Sequence, residues 1–343
     1  MTDIAPTYIV TGGCGFIGSN LVATLQRERP GCHVVIIDPI RTGSHALVIE
    51  ACTRIAGEPF RGEVLPDSVD DIDWPGLIVE RRPAAIFHLG AITDTTVDDE
   101  AAMIRENAGD AWRLLLEIAA EAEIPLVYAS SAATYGTPSE VADQQPFRET
   151  SAGSPNNVYG FSKWIMEQAH RRVAAERVAE GQADPGIIGL RYFNVFGPGE
   201  AAKGHMSSMA YQLARQVIAG DRPRLFTDGT QTRDQVPVED IVGLTLAAAG
   251  IGGRPDPIPG VYNAGSGRPT SFEQIAQAVR KGLGLSDAER PTEYFPMPDH
   301  IAAFYQSFTL ADMSEAERAL GYQPRHEPAE AIARYAAWLA EER

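Results

Sequence analysis

A tyrosine and a lysine four residues apart are the side chains whose types and spacing most directly suggest chemistry. Tyr159 and Lys163 occur in the sequence Tyr-Gly-Phe-Ser-Lys, and residues at positions i and i+4 share one face of a helix. A neighbouring ammonium group favours an ionised phenol, so we expect the pKa of Tyr159 to fall from about 10 toward neutrality. Such a tyrosine could take a proton from a substrate hydroxyl while a hydride leaves the same carbon. Lys163 could also bind the ribose of a nicotinamide cofactor.

Two serines could supply a further hydrogen bond to the reacting oxygen. Ser130 and Ser131 follow a short apolar run, in a segment that reads Tyr-Ala-Ser-Ser-Ala-Ala-Thr-Tyr-Gly over residues 128–136. Many helices contain the tyrosine–lysine spacing by chance, and ordinary loop capping is the alternative interpretation of either serine. The order of these features along the chain, after a glycine-rich segment, argues against coincidence.

That glycine-rich segment has the composition of a phosphate-binding turn. Residues 11–18 read Thr-Gly-Gly-Cys-Gly-Phe-Ile-Gly, after a predicted strand and before a predicted helix. We expect Gly12 to form the tight turn, Gly15 to admit a pyrophosphate and Gly18 to let the helix pack against the strand. The free amides at the start of that helix would then face the phosphates. The spacing differs by one residue from the usual G-x-G-x-x-G, so the interpretation depends on this context.

Asp38 and Arg41 give opposing indications about which nicotinamide dinucleotide would bind. Asp38 ends an apolar run 20 residues beyond Gly18, where an acidic side chain accepts hydrogen bonds from the adenosine ribose. A solvated carboxylate at a strand end is the alternative interpretation. Arg41 lies three residues further on and could meet a 2′-phosphate, so both NAD and NADP stay open.

The elements that would position these residues alternate between strands and helices. Buried strands are predicted from apolar runs at 8–11, 34–38, 85–89, 126–129 and 187–190. Helices are predicted at 16–28, 100–122 and 157–178. The apolar face of the second helix is formed by Met103, Leu114, Leu115, Ile118 and Ala119. This alternation predicts an α/β fold with a Rossmann-like, doubly wound parallel sheet.

The sequence pattern changes after about Tyr192, where glycine and proline become frequent and the elements become shorter. We therefore expect a smaller C-terminal substrate-binding lobe, with substrate held between the lobes at the carboxyl ends of the strands. An apolar run at 261–264 could return one more strand to the sheet. The predicted dinucleotide-binding domain is 1–191 with 236–264 returning to it, and the predicted lobe is 192–235 with 265–343.

Composition and charge exclude several classes of protein. The 343 residues carry a formal net charge of −17, which argues against a nucleic-acid partner but not against a small phosphate-bearing ligand. The three cysteines form no C-x-x-C pair and indicate a reducing compartment. The seven histidines are scattered, so we predict no metal site. Because we identify neither a signal peptide nor a transmembrane segment, we expect no membrane contact and a cytoplasmic location.

The glycine-rich segment, the strand-end serine and the tyrosine–lysine pair together resemble the extended short-chain dehydrogenase/reductase superfamily, whose members modify nucleotide sugars. The resemblance spans nearly the whole chain. It implies that Tyr159 is the acid/base, that Lys163 supports it, and that Ser131 polarises the reacting oxygen. It also implies a homo-oligomer with one tightly bound NADP or NAD per subunit.

Four segments resemble one family more narrowly, the ADP-L-glycero-D-manno-heptose 6-epimerases. The first is the serine segment, and the second is Asn-Val-Tyr-Gly-Phe-Ser-Lys at 157–163. The third is Arg-Tyr-Phe-Asn-Val-Phe-Gly-Pro at 191–198 with the following Glu200 and Lys203-Gly204, and the fourth is Pro298-Asp299 with Tyr-Gln-Ser-Phe-Thr at 305–309 and Ala311-Asp312. The resemblance implies inversion of carbon 6 of a nucleotide-linked heptose, with Lys203 as a second acid/base opposite the tyrosine. A surface lysine in a glycine-rich loop is the alternative interpretation. Members of this family form pentamers, although many relatives are dimers.

The same resemblance implies ligand contacts. Substrate contacts fall on Asn194, His205, Gln212, Phe226, Arg233 and Tyr305, with Arg233 at the nucleotide pyrophosphate. Cofactor contacts, beside the glycines, fall on Phe16, Ile17, Leu89, Gly90, Ala91, Asn107 and Val195. The chain departs from the family pattern at Pro39, His45, His205, Gln212 and Phe304. The last three departures are on the sugar side and leave room for another nucleotide sugar.

Other functions stay open. An epimerase, dehydratase or reductase of another nucleotide sugar, for example one acting at carbon 4, would use the same fold. Dehydration ranks below epimerisation because Ser131-Ala132-Ala133-Thr134 lacks the acidic residue that dehydratases carry there. A non-catalytic dinucleotide sensor is expected to have lost the tyrosine or the lysine. His88 follows a predicted buried strand, and we expect it to be a structural histidine.

Overall fold

A seven-stranded parallel sheet forms the centre of the structure, a computed structural model that describes residues 5–94, 99–136, 144–297 and 306–342. The strands are β1 (Thr7–Thr11), β2 (His33–Ile37), β3 (Gly62–Leu65), β4 (Ala85–His88), β5 (Leu126–Ser131), β6 (Ile187–Tyr192), β7 (Asn194–Phe196), β8 (Arg224–Phe226), β9 (Thr232–Pro237), β10 (Gly260–Ala264), β11 (Pro269–Ser271) and β12 (Glu293–Phe295). The central sheet has the order β10-β6-β5-β4-β1-β2-β3, with parallel pairing throughout. The predicted Rossmann-like sheet is confirmed.

Helices cover both faces of this sheet. They are α1 (Phe16–Glu28), α2 (His45–Ala51), α3 (Trp74–Arg81), α4 (Glu100–Ala108), α5 (Asp110–Glu121), α6 (Val158–Ala179), α7 (Met209–Ala219), α8 (Val238–Ala248), α9 (Phe272–Gly282), α10 (Ser314–Leu320) and α11 (Pro328–Glu341). Along β1, Tyr8 and Val10 face the core formed with α1 and α8, whereas Ile9 faces the core formed with α3, α5 and α6. Burial on both faces explains why continuous apolar runs predicted these strands.

One strand of the central sheet, β3, was not predicted from the sequence. It pairs with β2 at the edge of the sheet, and its four residues are exposed or half-buried. Because such a strand needs no continuous apolar run, its sequence carries little signal.

The helix predicted over 100–122 is two helices, α4 and α5. Gly109 interrupts them with an extended backbone (φ −80°, ψ −153°). The break sets the rotation of α5 independently of α4, and Leu116 is buried where Leu114 was expected. Leu114 is 39% exposed, so its placement on the apolar face was wrong. The other residues predicted for that face are buried or partly buried in the core.

The C-terminal part of the chain builds two small sheets, β11-β9-β7 and β12-β8. A third core packs α7, α9 and α11 around Phe196 and Leu225. Strand β10 returns to the central sheet beside β6, as predicted for residues 261–264. None of the helices within the described ranges combines the length with the hydropathy that a bilayer-spanning segment needs.

Asn263 in β10 joins segments that are far apart in the chain. Its Nδ2 donates to the carbonyls of Phe147 (2.7 Å) and Asp312 (3.0 Å), and its Oδ1 accepts from the Tyr135 hydroxyl (2.5 Å). Its backbone amide donates to the Glu149 carboxylate (2.9 Å). The side chain therefore holds the loop before α6 and the segment before α10 against the central sheet.

Candidate active site

The glycine-rich loop lies between β1 and α1, at the carboxyl edge of the central sheet. Gly12 has a φ of +68°, and a Cβ there would lie 2.7 Å from the amide nitrogen of Gly90. A Cβ on Gly18 would lie 2.1 Å from the Gly12 carbonyl oxygen. A Cβ on Gly15 would meet only that same oxygen, at 3.3 Å. Gly12 and Gly18 are thus required by close packing, whereas Gly15 leaves space beside the loop.

The start of α1 fits the pyrophosphate of a dinucleotide. Gly15 precedes the first turn of this 13-residue helix, and no side chain caps it. Its first backbone amides and the positive end of its dipole can therefore receive an anion. Among the other predicted cofactor residues, Phe16 and Val195 belong to the adjoining core, and Ile17 and Leu89 pack against it.

The segment after β4, which includes Gly90 and Ala91, is fixed by buried side chains. The Gly90 amide donates to Thr11 Oγ1 (3.0 Å). Asn107 Oδ1 accepts from the Ile92 amide (2.7 Å), and Asn107 Nδ2 donates to the Ile92 carbonyl and to Ser162 Oγ, both at 3.0 Å. Because the buried Asn107 side chain is engaged in this way, we expect it to position the backbone beside the cofactor.

His88, at the end of β4, has the structural role predicted for it. Its Nδ1 is 2.9 Å from Thr11 Oγ1, and its ring stacks on Trp112 with centroids 5.2 Å apart. Burial lowers the pKa of His88 to about 3. The ring is therefore neutral at ordinary pH and bonded within the core.

Asp38 and Arg41 lie beside the glycine loop. The Asp38 carboxylate accepts from the amides of Cys14 (2.9 Å) and Ile40 (2.8 Å). The Arg41 guanidinium forms an ion pair with Glu106 of α4. Asp38 is therefore bonded to backbone amides and Arg41 to a carboxylate. Both lie where the sequence left the choice between NAD and NADP open.

The structure distinguishes the two candidate serines at the end of β5. Ser131 Oγ accepts from the Ala133 amide (3.1 Å), and its side chain interacts with that of Tyr159. Ser130 points to the opposite face of the sheet, where its Oγ donates to the buried carboxylate of Glu167 (2.6 Å). Ser131 is therefore the serine that adjoins the tyrosine.

Tyr159 and Lys163 occupy the first turns of α6, which begins at Val158 after Asn157. Asn157 Oδ1 caps the helix by accepting from the Gly160 amide (2.8 Å). Lys163 is buried, with Nζ 6.0 Å from the centroid of the Tyr159 ring and 3.6 Å from Met166 Sδ. The predicted tyrosine–lysine pair on one helix face is present.

The expected fall in the pKa of Tyr159 is wrong for this structure. Burial raises the pKa of Tyr159, and only the hydrogen bond from Ser131 opposes this effect. Burial also lowers the pKa of Lys163 to about 7, so its ammonium is itself desolvated. At 6.0 Å from the ring centroid, Lys163 does not outweigh the burial of the phenol.

The stability of the dinucleotide-free protein is expected to rise between about pH 7 and 10.5 because of Lys163. In that window the unfolded chain binds a proton that the folded chain releases, since the folded pKa lies below the ordinary value of 10.5. Urea unfolding at pH 7, 8 and 9 should show a smaller rise in Lys163→Met than in the exposed-lysine control Lys281→Met. Equal rises in the two variants would contradict the burial of a neutral amine.

Lys203 lies in a short helical turn, Glu200–Met206, that a buried carboxylate fixes. Glu200 accepts from the amides of Gly197 (3.0 Å) and Ser208 (2.7 Å) and from Ser208 Oγ (3.0 Å). Burial lowers the pKa of Lys203, and the nearby Glu200 opposes the shift. Lys203 is thus a partly buried, titratable amine rather than a fully solvated one.

Three of the residues predicted to contact substrate lie in short strands of the C-terminal part, Asn194 in β7, Phe226 in β8 and Arg233 in β9. Asn194 Nδ2 donates to the Asp234 carbonyl (3.3 Å) and to Thr309 Oγ1 (3.2 Å). Arg233 is buried, with its guanidinium carbon 5.6 Å from the centroid of Phe272. Phe226 faces Phe295 at a centroid distance of 4.9 Å.

The other predicted substrate residues are His205, Gln212 and Tyr305. His205 is 67% exposed and lies 3.9 Å from Asp94. Gln212 donates to the Ser207 carbonyl (2.7 Å), so its amide supports the turn that carries Lys203. Tyr305 and the departure at Phe304 lie outside the described residues.

A buried ion pair that the sequence did not identify attaches α6 to the sheet. Arg191 of β6 donates from Nε and Nη2 to the two carboxylate oxygens of Glu167, at 2.9 and 2.6 Å. Both side chains are fully buried, and Ser130 donates to the same carboxylate. Glu167 lies one turn beyond Lys163, so the pair fixes α6 against β5 and β6.

Gln235 is a second residue that the sequence did not single out. It lies in β9 opposite Asn194, on the same strand face as Arg233. The residue is 2% exposed, and its Oε1 is buried with no hydrogen-bond partner among the described residues. A buried acceptor without a hydrogen-bond partner costs free energy of folding. Because Gln235 lies beside the predicted substrate contacts Asn194 and Arg233, we expect a bound ligand to supply the missing donor.

Gln235→Leu is therefore expected to raise the unfolding free energy of the ligand-free protein by about 1 kcal/mol. Asn263→Leu is the matched control, since that amide meets partners at both ends and its loss should destabilise by about 2 kcal/mol or more. Urea denaturation measures both changes. A Gln235 variant that is destabilised as much as the control would show that the amide serves the fold.

Comparison with known proteins identifies relatives of the whole chain. The profile of the family described as NAD dependent epimerase/dehydratase matches residues 8–265. An ADP-L-glycero-D-manno-heptose-6-epimerase of Alkalilimnicola ehrlichii is 38% identical over 321 residues, covering 91% of this chain and 90% of that protein.

Solved structures share the architecture. The ADP-L-glycero-D-manno-heptose-6-epimerase of Helicobacter pylori superposes with a TM-score of 0.79 at 30% identity, covering 98% of this chain and 97% of the other. A UDP-glucose-4-epimerase of Stenotrophomonas maltophila, solved with NAD and formylated UDP-arabinopyranose, gives 0.78 at 26% identity and covers 98% of both chains. The predicted nucleotide-sugar epimerase with a nicotinamide cofactor is confirmed at the level of the family. Because the matched residues include all seven strands of the central sheet and the loops at its carboxyl edge, the chain belongs to the NAD dependent epimerase/dehydratase family.

Proposed function

We propose that the protein inverts carbon 6 of ADP-glycero-manno-heptose. The placement of Ser131 beside Tyr159, with the buried Lys163 one turn further along the helix, carries the assignment of oxidation and reduction at a hydroxyl-bearing carbon. The heptose assignment is supported by the 38% identical relative and by the resemblance of the four sequence segments. The product would serve lipopolysaccharide synthesis.

The chain's own side chains would act on the substrate hydroxyl and its proton. Tyr159 would act as a phenolate, taking the proton from the hydroxyl on carbon 6 to become a phenol, and Ser131 would donate a hydrogen bond to that oxygen. The positive charge of an oxidised nicotinamide would favour this ionised form against the effect of burial. A bound nicotinamide dinucleotide supplies hydride acceptance and return. Inversion requires that the ketone present its other face before it is reduced. Protonated Lys203 would then donate a proton to the ketone oxygen as hydride returns to carbon 6, and exchange with solvent would afterwards return a proton to Lys203 and remove the one held by Tyr159. The residues that would hold the dinucleotide are those of the glycine loop, with Asp38 and Lys163.

The amino-acid usage of the chain supports a proton-transfer role for Lys203. Among 29 lysines and arginines only three are lysines, Lys163, Lys203 and Lys281. An arginine does not lose its proton at physiological pH, whereas a lysine in a desolvated position can. Two of the three lysines thus lie where titration is useful to the proposed reaction.

The tight binding of the dinucleotide, the oligomeric state, the location and the domain boundaries are also proposals. The dinucleotide stays tightly bound, one per subunit, because the hydride that leaves the sugar must return in the same turnover. The chain assembles as a homo-oligomer, a pentamer by resemblance with a dimer as the alternative, and functions in the cytoplasm. The division into 1–191 with 236–264, and 192–235 with 265–343, defines the dinucleotide-binding domain and the substrate lobe.

NMR of the purified protein with ADP-D-glycero-β-D-manno-heptose in D₂O, without added cofactor, tests the proposal. Inversion at carbon 6 with the original hydrogen retained is the expected result, since direct transfer and return exclude solvent deuterium. No reaction in protein shown to contain the dinucleotide would contradict the heptose assignment. Because the departures from the family pattern at His205 and Gln212 leave room for another nucleotide sugar, UDP-glucose is assayed in parallel.

A further inference from the structure

The turn that carries Lys203 is held by a buried acid whose contacts extend to the C-terminal helix. We infer that Glu200 is a positioning residue for Lys203, which fixes the turn and supplies a negative charge beside the amine, and that Tyr335 of α11 helps to hold Glu200. The inference rests on the proposed function, because the part of Lys203 in proton transfer belongs to that proposal.

Glu200 joins the two ends of the turn. Its Oε1 accepts from the Gly197 amide (3.0 Å), directly after β7, and from Ser208 Oγ (3.0 Å), while its Oε2 accepts from the Ser208 amide (2.7 Å). Ser208 is also the N-cap of α7, since its Oγ accepts from the Tyr211 amide (3.1 Å). The fully buried carboxylate therefore ties the turn to the strand before it and to the helix after it.

The backbone at Lys203 depends on this arrangement. Lys203 directly precedes Gly204, whose φ of +56° and ψ of −124° interrupt the helical turn. Ser207 closes the interruption, because its amide and its Oγ both donate to the Gly204 carbonyl, at 3.1 and 2.6 Å. The same Oγ reaches the Glu200 carbonyl (3.1 Å). Lys203 thus projects from a backbone whose two ends Glu200 holds.

Glu200 also determines the charge beside the amine. Both of its side-chain oxygens accept hydrogen bonds, which favours the ionised carboxyl. Burial raises the pKa of Glu200, while the bonds from Ser208 and Gly197 and the charge of Lys203 oppose that rise. In return, the carboxylate opposes the fall that burial causes in the pKa of Lys203. Glu200 therefore favours the ammonium form, which donates the proton in the return step.

Tyr335 brings α11 to this carboxylate. Its side chain is 5% exposed and lies against Phe196, with ring centroids 6.1 Å apart, one residue before the Gly197 amide. Burial raises the pKa of Tyr335, and the adjoining Glu200 raises it further. A neutral phenol beside a carboxylate can serve it as a hydrogen-bond donor. The terminal helix therefore contributes to the site as well as to the third core.

Other charged groups lie around the carboxylate and the phenol. The phenol interacts electrostatically with Tyr211 of α7 and Glu239 of α8. Arg54, in the helical turn after α2, interacts with Glu239 and with the same phenol. On the turn itself, His205 faces Asp94 at 3.9 Å. Among the described residues, the carboxylate is the one charged group that shifts the pKa of the amine.

NMR titration of the lysines tests the charge without any sugar. The holoenzyme is labelled with lysine carrying carbon-13 at Cε, and with three lysines in the chain Lys203→Arg assigns the Lys203 signal. Glu200→Gln keeps the size of the side chain but removes its charge, and it should lower the pKa of Lys203 by about 1. Asp240→Asn should leave that pKa unchanged. It is the matched control, because Asp240 is a buried carboxylate that accepts from two backbone amides and the Tyr322 hydroxyl.

Kinetics with the heptose substrate test the position of the amine. In the direction in which Lys203 donates its proton, kcat falls as the pH rises through the pKa of Lys203, and in Glu200→Gln this fall should move to lower pH. Glu200→Asp keeps the charge, but its shorter side chain cannot hold both ends of the turn. It should lower kcat about tenfold or more and change the pKa of Lys203 less than Glu200→Gln does.

Tyr335→Phe tests the contribution of α11. Loss of the hydroxyl should lower kcat about three- to tenfold, because one of the groups that hold the carboxylate is removed. Tyr322→Phe makes the same change beside Asp240 and should keep the parent's kcat. Thermal unfolding verifies that the variants are folded at the assay temperature.

Three outcomes would overturn the inference in whole or in part. An unchanged pKa of Lys203 in Glu200→Gln would show that the carboxylate does not act on the amine. The parent's kcat in Glu200→Asp would show that the turn does not need it, and equal kcat in Tyr335→Phe and Tyr322→Phe would exclude α11. Because the titration uses no sugar, an enzyme that shows the expected pKa change but does not invert carbon 6 would contradict only the proposed function.

Discussion

Tyr159→Phe is expected to lower kcat for epimerisation by about 10³-fold while the fold and dinucleotide binding remain intact. The change removes one oxygen atom, which lies beside Ser131 and which the mechanism uses to take the substrate proton. Burial raises the pKa of this phenol, so the dinucleotide-free protein holds it in its neutral form. The substitution therefore removes no charge, and the protein should stay folded. Steady-state kinetics, thermal unfolding and the NAD dissociation constant together measure the result.

Tyr192→Phe is the matched control for that variant. Tyr192 is a buried tyrosine at the end of β6, and its hydroxyl bonds to Thr245 Oγ1 (2.8 Å) on the side of α8. We expect a loss of about 1 kcal/mol of stability and little loss of kcat. Parent-like turnover in Tyr159→Phe would refute its role as acid/base.

Substitution of Lys203 should have the second largest effect, and two variants separate its possible roles. Lys203→Gln is expected to lower kcat about 10²-fold or more in both directions, because the two acid/base groups exchange roles when the reaction reverses. Lys203→Arg keeps a positive charge but cannot give up a proton, so it should be impaired to a similar extent. Assays starting from each epimer measure both effects.

The exposed Lys281, near the end of α9, provides the control for this pair. Lys281→Gln and Lys281→Arg should both keep the parent's kcat. If Lys203→Arg retained full activity while Lys203→Gln did not, the lysine would serve only as a charge. If both variants were fully active, Lys203 would be the surface residue that the alternative interpretation describes.

The sequence predicted those features that depend on neighbouring residues. Buried strands have apolar side chains on both faces, so six strands of the central sheet were visible as short apolar runs. The edge strand β3 lacks such a run and was missed. The single helix predicted over 100–122 failed because the apolar period alone did not mark the extended backbone of Gly109.

The missed site features depend on contacts between distant parts of the chain. The Glu167–Arg191 pair joins α6 to β6, and neither residue has a local pattern that identifies its partner. Gln235 becomes notable only when β9 is paired with β7. The pKa of Tyr159 was mistaken because helix spacing gives the direction of Lys163 but not the burial of both groups. The choice of Ser131 over Ser130, by contrast, had been made from the resemblance, and the alternation of side chains along β5 points the same way.

The contacts of Asn263 limit how the substrate lobe can be exchanged between relatives. A chimera made with one crossover after Tyr192 would take Asn263 and Asp312 from the donor and Phe147 and Glu149 from the recipient. It would also replace β10, a strand of the central sheet, together with the lobe. Two crossovers that leave β10 in place would still take from the donor the segment whose backbone carbonyl, at Asp312, Asn263 holds. New sugar specificity in this architecture should therefore arise by point substitution within the lobe more readily than by recombination of modules.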